Sequence, residues 1–219
     1  TRAKYMPKYK AAILAKWPGE DWTERKLDLL ASSFLDALLF AGGRSVPLVT
    51  DIVMGHILTR PSNQPEGIRG VDFAKEDNAR ALVMECVRLF APVTTINFWE
   101  RTGPGGAWEH HCPCLHKALY DPAVFPEPLE FRLHRPGLNP GYAGVRSNSI
   151  AWADYACVDG DQGHPDSHSC PAKDLSIQMV VAFALEFRAA GFVAVDDDIA
   201  INYYGTRGWA ARRADRPLF

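Results

Sequence analysis

The sequence predicts a mainly α-helical chain with small β pieces. Three observations predict it. Apolar residues recur at helical spacing through 24–58, 76–90 and 174–188. Residues 92–150 mix Thr, Ile, Phe and Trp with many glycines and prolines, which suits short strands, turns and irregular loop. The tail from 192 to 219 holds strand-like pieces around Phe192–Val195 and Ile199–Tyr204.

Along the chain, residues 8–16 read as a short helix stopped by Pro18 and Gly19. Thr23 is placed to cap a second helix, with Glu24 in its first turn. That helix carries Leu27, Leu30, Phe34, Leu35, Leu38 and Leu39 toward a core. Gly42 and Gly43 interrupt it, at about 1 kcal/mol each relative to Ala, so it either ends there or admits a close approach to its backbone. Apolar residues resume from Val46 to Leu58, with a kink expected at Pro47. Residues 59–75 read as loop, 76–90 as a helix ended before Pro92, and 151–173 as a long loop carrying Cys170. The segment 174–188 is apolar almost all round, which predicts a deeply buried helix. Asp196–Asp198 reads as a solvated turn.

The chain has 219 residues, enough for one domain or a little more with a real core. A net charge of -2 gives no reason to expect nucleic acid or an anionic membrane as partner. No apolar run reaches the roughly 20 residues that a transmembrane span needs, and no signal-type apolar core follows the basic start TRAKYMPKYK. Without an initiator Met, the start reads as processed or truncated. The five cysteines are irregularly spaced, which argues against a secreted disulfide framework. A soluble protein of a reducing compartment is the expectation.

Three motifs carry chemistry. Glu85 and Arg88 stand three apart on one helix and share a face. Some forty residues on comes the proline-rich run DPAVFPEPLEFRLHRP, which contains Arg135. The third is HSCPAKDLSIQMVVAFALEF, a cysteine just before an apolar helix. A helix N-terminus stabilises negative charge, as an iron-bound thiolate requires. Each alone has a plainer reading: a surface pair, a loop, a buried inert thiol.

Their order and spacing resemble the cytochrome P-450 superfamily, over about the C-terminal, haem-binding half of such a fold. The resemblance implies a single partial domain over 1–219, with a distal-helix region at 24–58, the Glu-x-x-Arg helix at 76–90, an irregular and β region at 92–150, the Cys loop at 151–173, a proximal helix at 174–188 and C-terminal strands at 192–219. It implies haem b as cofactor, Cys170 as the iron ligand, His168 facing a propionate and Arg101 as a further cofactor contact. Glu85, Arg88 and Arg135 would form the structural triad behind the haem. Gly42, Gly43, Thr94, Thr95 and Ile96 would line the substrate pocket.

The resemblance is not to an ordinary monooxygenase, which carries an acid and a Thr in the distal helix. In AGGRS, Arg44 and Ser45 stand at those places. The usual Phe-x-x-Gly before the cysteine is replaced, with Gly163 and Asp166 in its place. The allene oxide synthase and hydroperoxide lyase branch is more similar: it has a distal Gly-Gly like Gly42-Gly43, a longer cysteine loop followed by Lys-Asp like Lys173-Asp174, and an upstream Trp like Trp152. It also has a distal Asn where this chain has Leu39. Fatty-acid peroxygenases instead hold the substrate carboxylate with a distal Arg, a role open to Arg44. The implied activity is peroxide chemistry without a reductase, on a fatty-acid hydroperoxide.

Such a half-domain implies a partner, another protein chain that completes or covers it. Two other readings stand beside this one. The chain is a degenerate, non-catalytic relative serving as a subunit of a larger assembly; or it is a zinc-stabilised module built on His110, His111, Cys112 and Cys114, or on Cys157, His164, His168 and Cys170.

Overall fold

A computed structural model of the chain describes residues 2–95, 98–103, 106–135, 170, 172–195, 199, 201, 202, 205, 206 and 211–215. Residues 1–47 and 48–219 form two compact units.

In the first unit, helix α1 (Arg2–Lys16) packs on α2 (Glu24–Ala37). It begins six residues before the expected start, because Pro7 lies within it without ending it. Their shared core is Ile13, Leu27 and Ala31, with Met6, Tyr9, Trp22 and Leu30 against it. Lys10 pairs with Glu24 and Asp28. Thr23 Oγ1 accepts a hydrogen bond from Lys26 N at 3.3 Å, so the expected cap forms. Leu35 is buried, but Phe34, expected in the core, is exposed. A π-helical stretch then runs from Leu38 to Ser45. The two glycines do not end the helix, and among the described residues beyond their chain neighbours and the helix's own backbone nothing comes within 4 Å of where a Cβ would stand on Gly42 or Gly43. Instead the helix widens across them and resumes its α pitch at Val46, where Pro47 is tolerated in a first turn.

The second unit centres on three helices. Helix α3 (Val46–Leu58) buries Val49, Ile52, Val53, Met54 and Ile57. The loop after it holds two short 3-10 turns, Pro61–Asn63 and Glu66–Ile68. Helix α4 (Glu76–Leu89) opens on Glu76 and Asp77, which suit its N-terminal dipole, and is buried from Leu82 to Leu89. Strands β1 (Phe98–Arg101) and β2 (Trp108–His111) pair antiparallel, Phe98 opposite His111 and Arg101 opposite Trp108. The short helix α5 (Leu115–Leu119), absent from the sequence-based expectation, packs on α4 through buried Leu115 and Leu119. Five residues are too few to show a helical period.

Helix α6 (Lys173–Ala189) also packs on α4, through Ile177, Val180, Val181 and Ala184. It is not deeply buried, however. Leu175, Met179 and Phe183 are 59 %, 52 % and 45 % exposed, on the side of the helix away from the buried Ile177, Val180, Val181 and Ala184. Strands β3 (Phe192–Ala194) and β6 (Ala211–Arg213) pair antiparallel, as do β4 (Ile201–Asn202) and β5 (Gly205–Thr206). The β4–β5 hairpin is tied to α3: Asp51 accepts hydrogen bonds from Thr206 N at 2.7 Å and from Thr206 Oγ1 at 2.9 Å. Gly55 is what lets the hairpin sit there. A Cβ on it would stand 2.7 Å from the Thr206 methyl and 3.2 Å from Ile201. No helix among the described residues is long and apolar enough to cross a membrane. Asp196–Asp198 lie outside the described residues.

Candidate functional site

The deepest polar feature is built from α4 and the proline-rich run after α5. Glu85 and Arg88, one turn apart, point the same way, and both are essentially fully buried. Arg88 donates to both carboxylate oxygens of Glu85, Nε to Oε2 and Nη2 to Oε1, each at 2.8 Å. Arg135 Nε donates to Glu85 Oε1 at 2.9 Å, and Arg132 N reaches the same oxygen at 3.0 Å. One carboxylate thus faces two guanidinium groups.

The remaining positive charge is met by backbone. Arg88 donates to the carbonyls of Leu119, Pro128 and Glu130 at 3.0, 2.8 and 3.3 Å. Arg135 donates to those of Pro126, Glu127 and Glu130 at 2.7, 3.0 and 2.6 Å. The faces of Tyr120 and Phe125 lie 5.8 and 5.5 Å from the Arg88 guanidinium carbon. Prolines suit such a cradle, since they carry no N–H of their own and leave carbonyls to accept. The turn needs left-handed backbone at Glu127 (φ 51°) and His134 (φ 56°), a conformation a non-glycine residue holds only where its surroundings fix it. Here the Glu127 carbonyl is clamped by Arg135 and by Glu130 N. Gly67 lets the loop pass, because a Cβ there would fall 1.8 Å from the Phe131 carbonyl oxygen.

Cys170 lies three residues before α6. It is unbridged and half-buried, and its carbonyl accepts from Lys173 N at 3.1 Å, closing the turn that leads into the helix. A single unbridged thiol at that place has the chemistry of a one-sulfur axial ligand, so the residue fits the group the resemblance implies. Cys86 is the opposite case: it is fully buried on α4, and burial followed by the neighbouring Glu85 charge pushes its thiol well above the usual range. His168, Ile96, Trp152, Cys157, Gly163, His164 and Asp166 lie outside the described residues. So do the side chains of Arg101, on β1, and Leu39.

Gly42, Gly43 and Arg44 are exposed on the π-helical stretch, and Ser45 is half-exposed. Thr94 and Thr95 are half-buried after α4: the Thr94 carbonyl accepts from His116 N at 3.3 Å, and Thr95 bridges Cys114. Among the described residues no three His, Cys, Asp or Glu side chains gather as a metal site, so His110, His111, Cys112 and Cys114 form none.

A cavity of about 510 Å³ lies in the second unit, walled by His56, Asn63, Phe90, Tyr120, Phe131 and neighbours, and neither Thr94 nor Thr95 lines it. The sequence reading passed over His56. It is 4 % exposed, packs 4.7 Å from the Phe131 ring, and among the described residues neither ring nitrogen has a hydrogen-bond partner. Burial lowers its pKa to about 4, so the ring is neutral near pH 7. Tyr120 closes the same wall, its hydroxyl donating to the Leu89 carbonyl at 2.5 Å.

No family model matches the sequence, and no curated protein does. Solved structures do match. Cytochrome P-450 CYP109Q5 from Chondromyces apiculatus is similar at 17 % identity and a TM-score of 0.55, over 95 % of this chain and 53 % of that one. Cytochrome P-450 CYP109B1 from Bacillus subtilis is similar at 20 % identity and a TM-score of 0.54, over 96 % and 57 %. Cytochrome P-450 CYP150A6 from Mycobacterium marinum is similar at 19 % identity and a TM-score of 0.53, over 95 % and 53 %. The chain therefore has a partial cytochrome P-450 fold and spans about half the length of those structures.

Proposed function

We propose that the chain is the C-terminal, haem-binding half of a haem-thiolate protein related to the cytochromes P-450, with Cys170 as the iron ligand. The observation that carries this reading is an unbridged, half-buried thiol leading into α6, which packs on the very helix that holds the buried Glu85–Arg88–Arg135 network. The cofactor is haem b, and by the resemblance His168 would face a propionate and Arg101 would be a further cofactor contact. Bound through a thiolate, such a haem supplies electron donation that favours O–O cleavage.

The substrate class is a fatty-acid hydroperoxide, taken without a reductase. The Arg44 guanidinium offers only hydrogen-bond donors. It therefore cannot relay protons to dioxygen as an acid–alcohol pair does, but its planar fork suits bidentate pairing with a carboxylate. Ser45 adds a hydroxyl beside it. Thr94, Thr95 and Ile96 are the residues that the resemblance assigns to the acyl chain.

The test is turnover of a fatty-acid hydroperoxide by haem-loaded protein with no reductase present. Arg44→Ala is expected to raise KM by roughly 10–100-fold, the value of one hydrogen-bonded charge. Turnover indifferent to that change puts the carboxylate elsewhere. Turnover only with dioxygen and a reductase contradicts the peroxide reading. Protein that takes up no haem and runs with a larger complex supports the non-catalytic subunit.

A further inference from the structure

The cavity of about 510 Å³ in the second unit is separate from the residues proposed above for haem and substrate: neither Cys170 nor Thr94 nor Thr95 lines it. Its wall is largely apolar, with Leu89 and Phe90 at the end of α4, Phe131 from the proline-rich run and Ile201 from β4. None of the described residues that line it carries a carboxylate, ammonium or guanidinium group. His56, in the last turn of α3, stands in this wall. It is 4 % exposed, with the rings of Phe131 and Phe90 centred 4.7 and 6.3 Å away. Among the described residues neither of its ring nitrogens has a hydrogen-bond partner. Buried polar atoms are nearly always hydrogen-bonded, because burial has stripped them of water. A ring with both nitrogens unmet, in the wall of a cavity, is half of an interaction whose other half enters the cavity.

The groups around the cavity define that other half. Neutral imidazole has one bare nitrogen that accepts and one N–H that donates. Burial lowers the His56 pKa to about 4, which keeps the ring in that form near pH 7. Thr59 and Tyr120 also line the cavity, and each has committed its hydroxyl hydrogen to a backbone carbonyl, that of Gly55 at 2.6 Å and that of Leu89 at 2.5 Å. Their oxygens therefore have only acceptor capacity left. The wall is rich in acceptors and calls for a donor. A charged ligand would lose its hydration here without meeting an opposite charge. The volume falls in the range of roughly 300–1,000 Å³ that holds small organic molecules, and is many times the roughly 30 Å³ share of one water. Rings in the wall favour a ring in the ligand. We propose that this cavity binds a small, uncharged phenol or other aromatic alcohol, whose hydroxyl donates to the bare nitrogen of His56 and whose ring packs against Phe90 and Phe131. Tyr120 links the cavity to the arginine network, since its ring centre lies 5.8 Å from the Arg88 guanidinium carbon. A ligand that binds only the folded chain stabilises it.

The probe is 2-naphthol. Its comparisons are 2-methoxynaphthalene, which has the same rings but no hydroxyl hydrogen, and the 2-naphthoate anion. Binding of each to the full 219-residue chain is measured by titration calorimetry, and the site is located by NMR contacts between the naphthol ring and protein side chains. The expected result is saturable one-to-one binding of 2-naphthol, about 10-fold tighter than the ether, as one hydrogen bond provides. Naphthoate should not bind. Ring contacts should fall on Phe131 and Ile201, and 2-naphthol should raise the thermal midpoint. His56→Phe, similar in size, should bring naphthol and its ether to equal affinity while keeping the contact with Phe131. If that variant does not fold, the two ligands on the unaltered chain, with the ring contacts, decide the matter. No saturable binding of 2-naphthol, as in a cavity that holds water only, would overturn the proposal. So would equal affinity for naphthol and ether in the unaltered chain, ring contacts away from Phe131 and Ile201, tighter binding of naphthoate, or a naphthol advantage that survives His56→Phe. None of these readouts depends on haem, so the outcome is independent of the Cys170 assignment.

Discussion

Arg88 is out of reach of bulk solvent and donates its hydrogen bonds to Glu85 and three backbone carbonyls. Removing it strips Glu85 Oε2 and the Leu119 and Pro128 carbonyls of the donors that Arg88 supplies, and leaves Glu85 Oε1 to Arg135 and Arg132 N alone. Arg88→Ala is therefore expected to cost about 3–5 kcal/mol, read as a fall in the urea midpoint, and Arg135→Ala nearly as much. A near-normal midpoint in Arg88→Ala contradicts the network's role. His56 gives a pH signature of its own. In the unfolded chain it takes a proton near its ordinary 6.5, while in the folded chain burial holds it neutral down to about 4. Between those values the unfolded state binds more protons, so stability falls as pH falls, by on the order of 3 kcal/mol in all. Below about 4 this group adds no further loss. His56→Phe should flatten that part of the pH–stability curve, and an unchanged slope would show that the ring is not the cause. The pairing of Glu85 with Arg88 was legible from their three-residue spacing, and Arg135 from its place in the proline-rich run. The carbonyl cradle was not, because carbonyls belong to every residue and only the turn aims them. His56 was missed because a lone histidine in an apolar helix has no pattern around it.

Helices α3, α4 and α6 follow from apolar periodicity, and their ends fall within a residue or two of the expected ones. What periodicity cannot give is which apolar side is buried; Phe34 and, on α6, Leu175, Met179 and Phe183 are exposed. The π-helical stretch was illegible for a related reason. Gly-Gly signals a weak point in a helix, and widening the pitch is one of several ways to accommodate it. Two glycines set how elements approach one another. Gly67 lies against the Phe131 carbonyl and so holds the arginine cradle in register. Gly67→Ala forces backbone apart rather than a mobile side chain, and its cost should sit at the upper end of the roughly 1–3 kcal/mol of overpacking. Thermal melts of Gly67→Ala and of Gly19→Ala, where an added Cβ meets nothing, make the comparison. Equal melts would mean that the cradle does not rest on this contact.

Across the whole molecule, a buried charge network and an unbridged thiol belong to one unit, linked through the packing of α4 on α6. A network of this kind is weak evidence for stability as such, since apolar side chains of similar volume often serve as well. Its value lies in specificity: it pins the 126–135 run to α4 in a single arrangement. The fold was legible through the order and spacing of three motifs, although identity to the matched structures is only 17–20 %. The central claim is that Cys170 ligates haem, and the reduced carbonyl spectrum tests it most directly. Haem-loaded protein is reduced, exposed to carbon monoxide and compared with Cys170→Ala and, as a control, Cys112→Ala, which alters an exposed cysteine. A strongly red-shifted Soret band, kept in Cys112→Ala and lost in Cys170→Ala, is the expected result. The same band in Cys170→Ala, or no such band in the unaltered protein, contradicts the assignment.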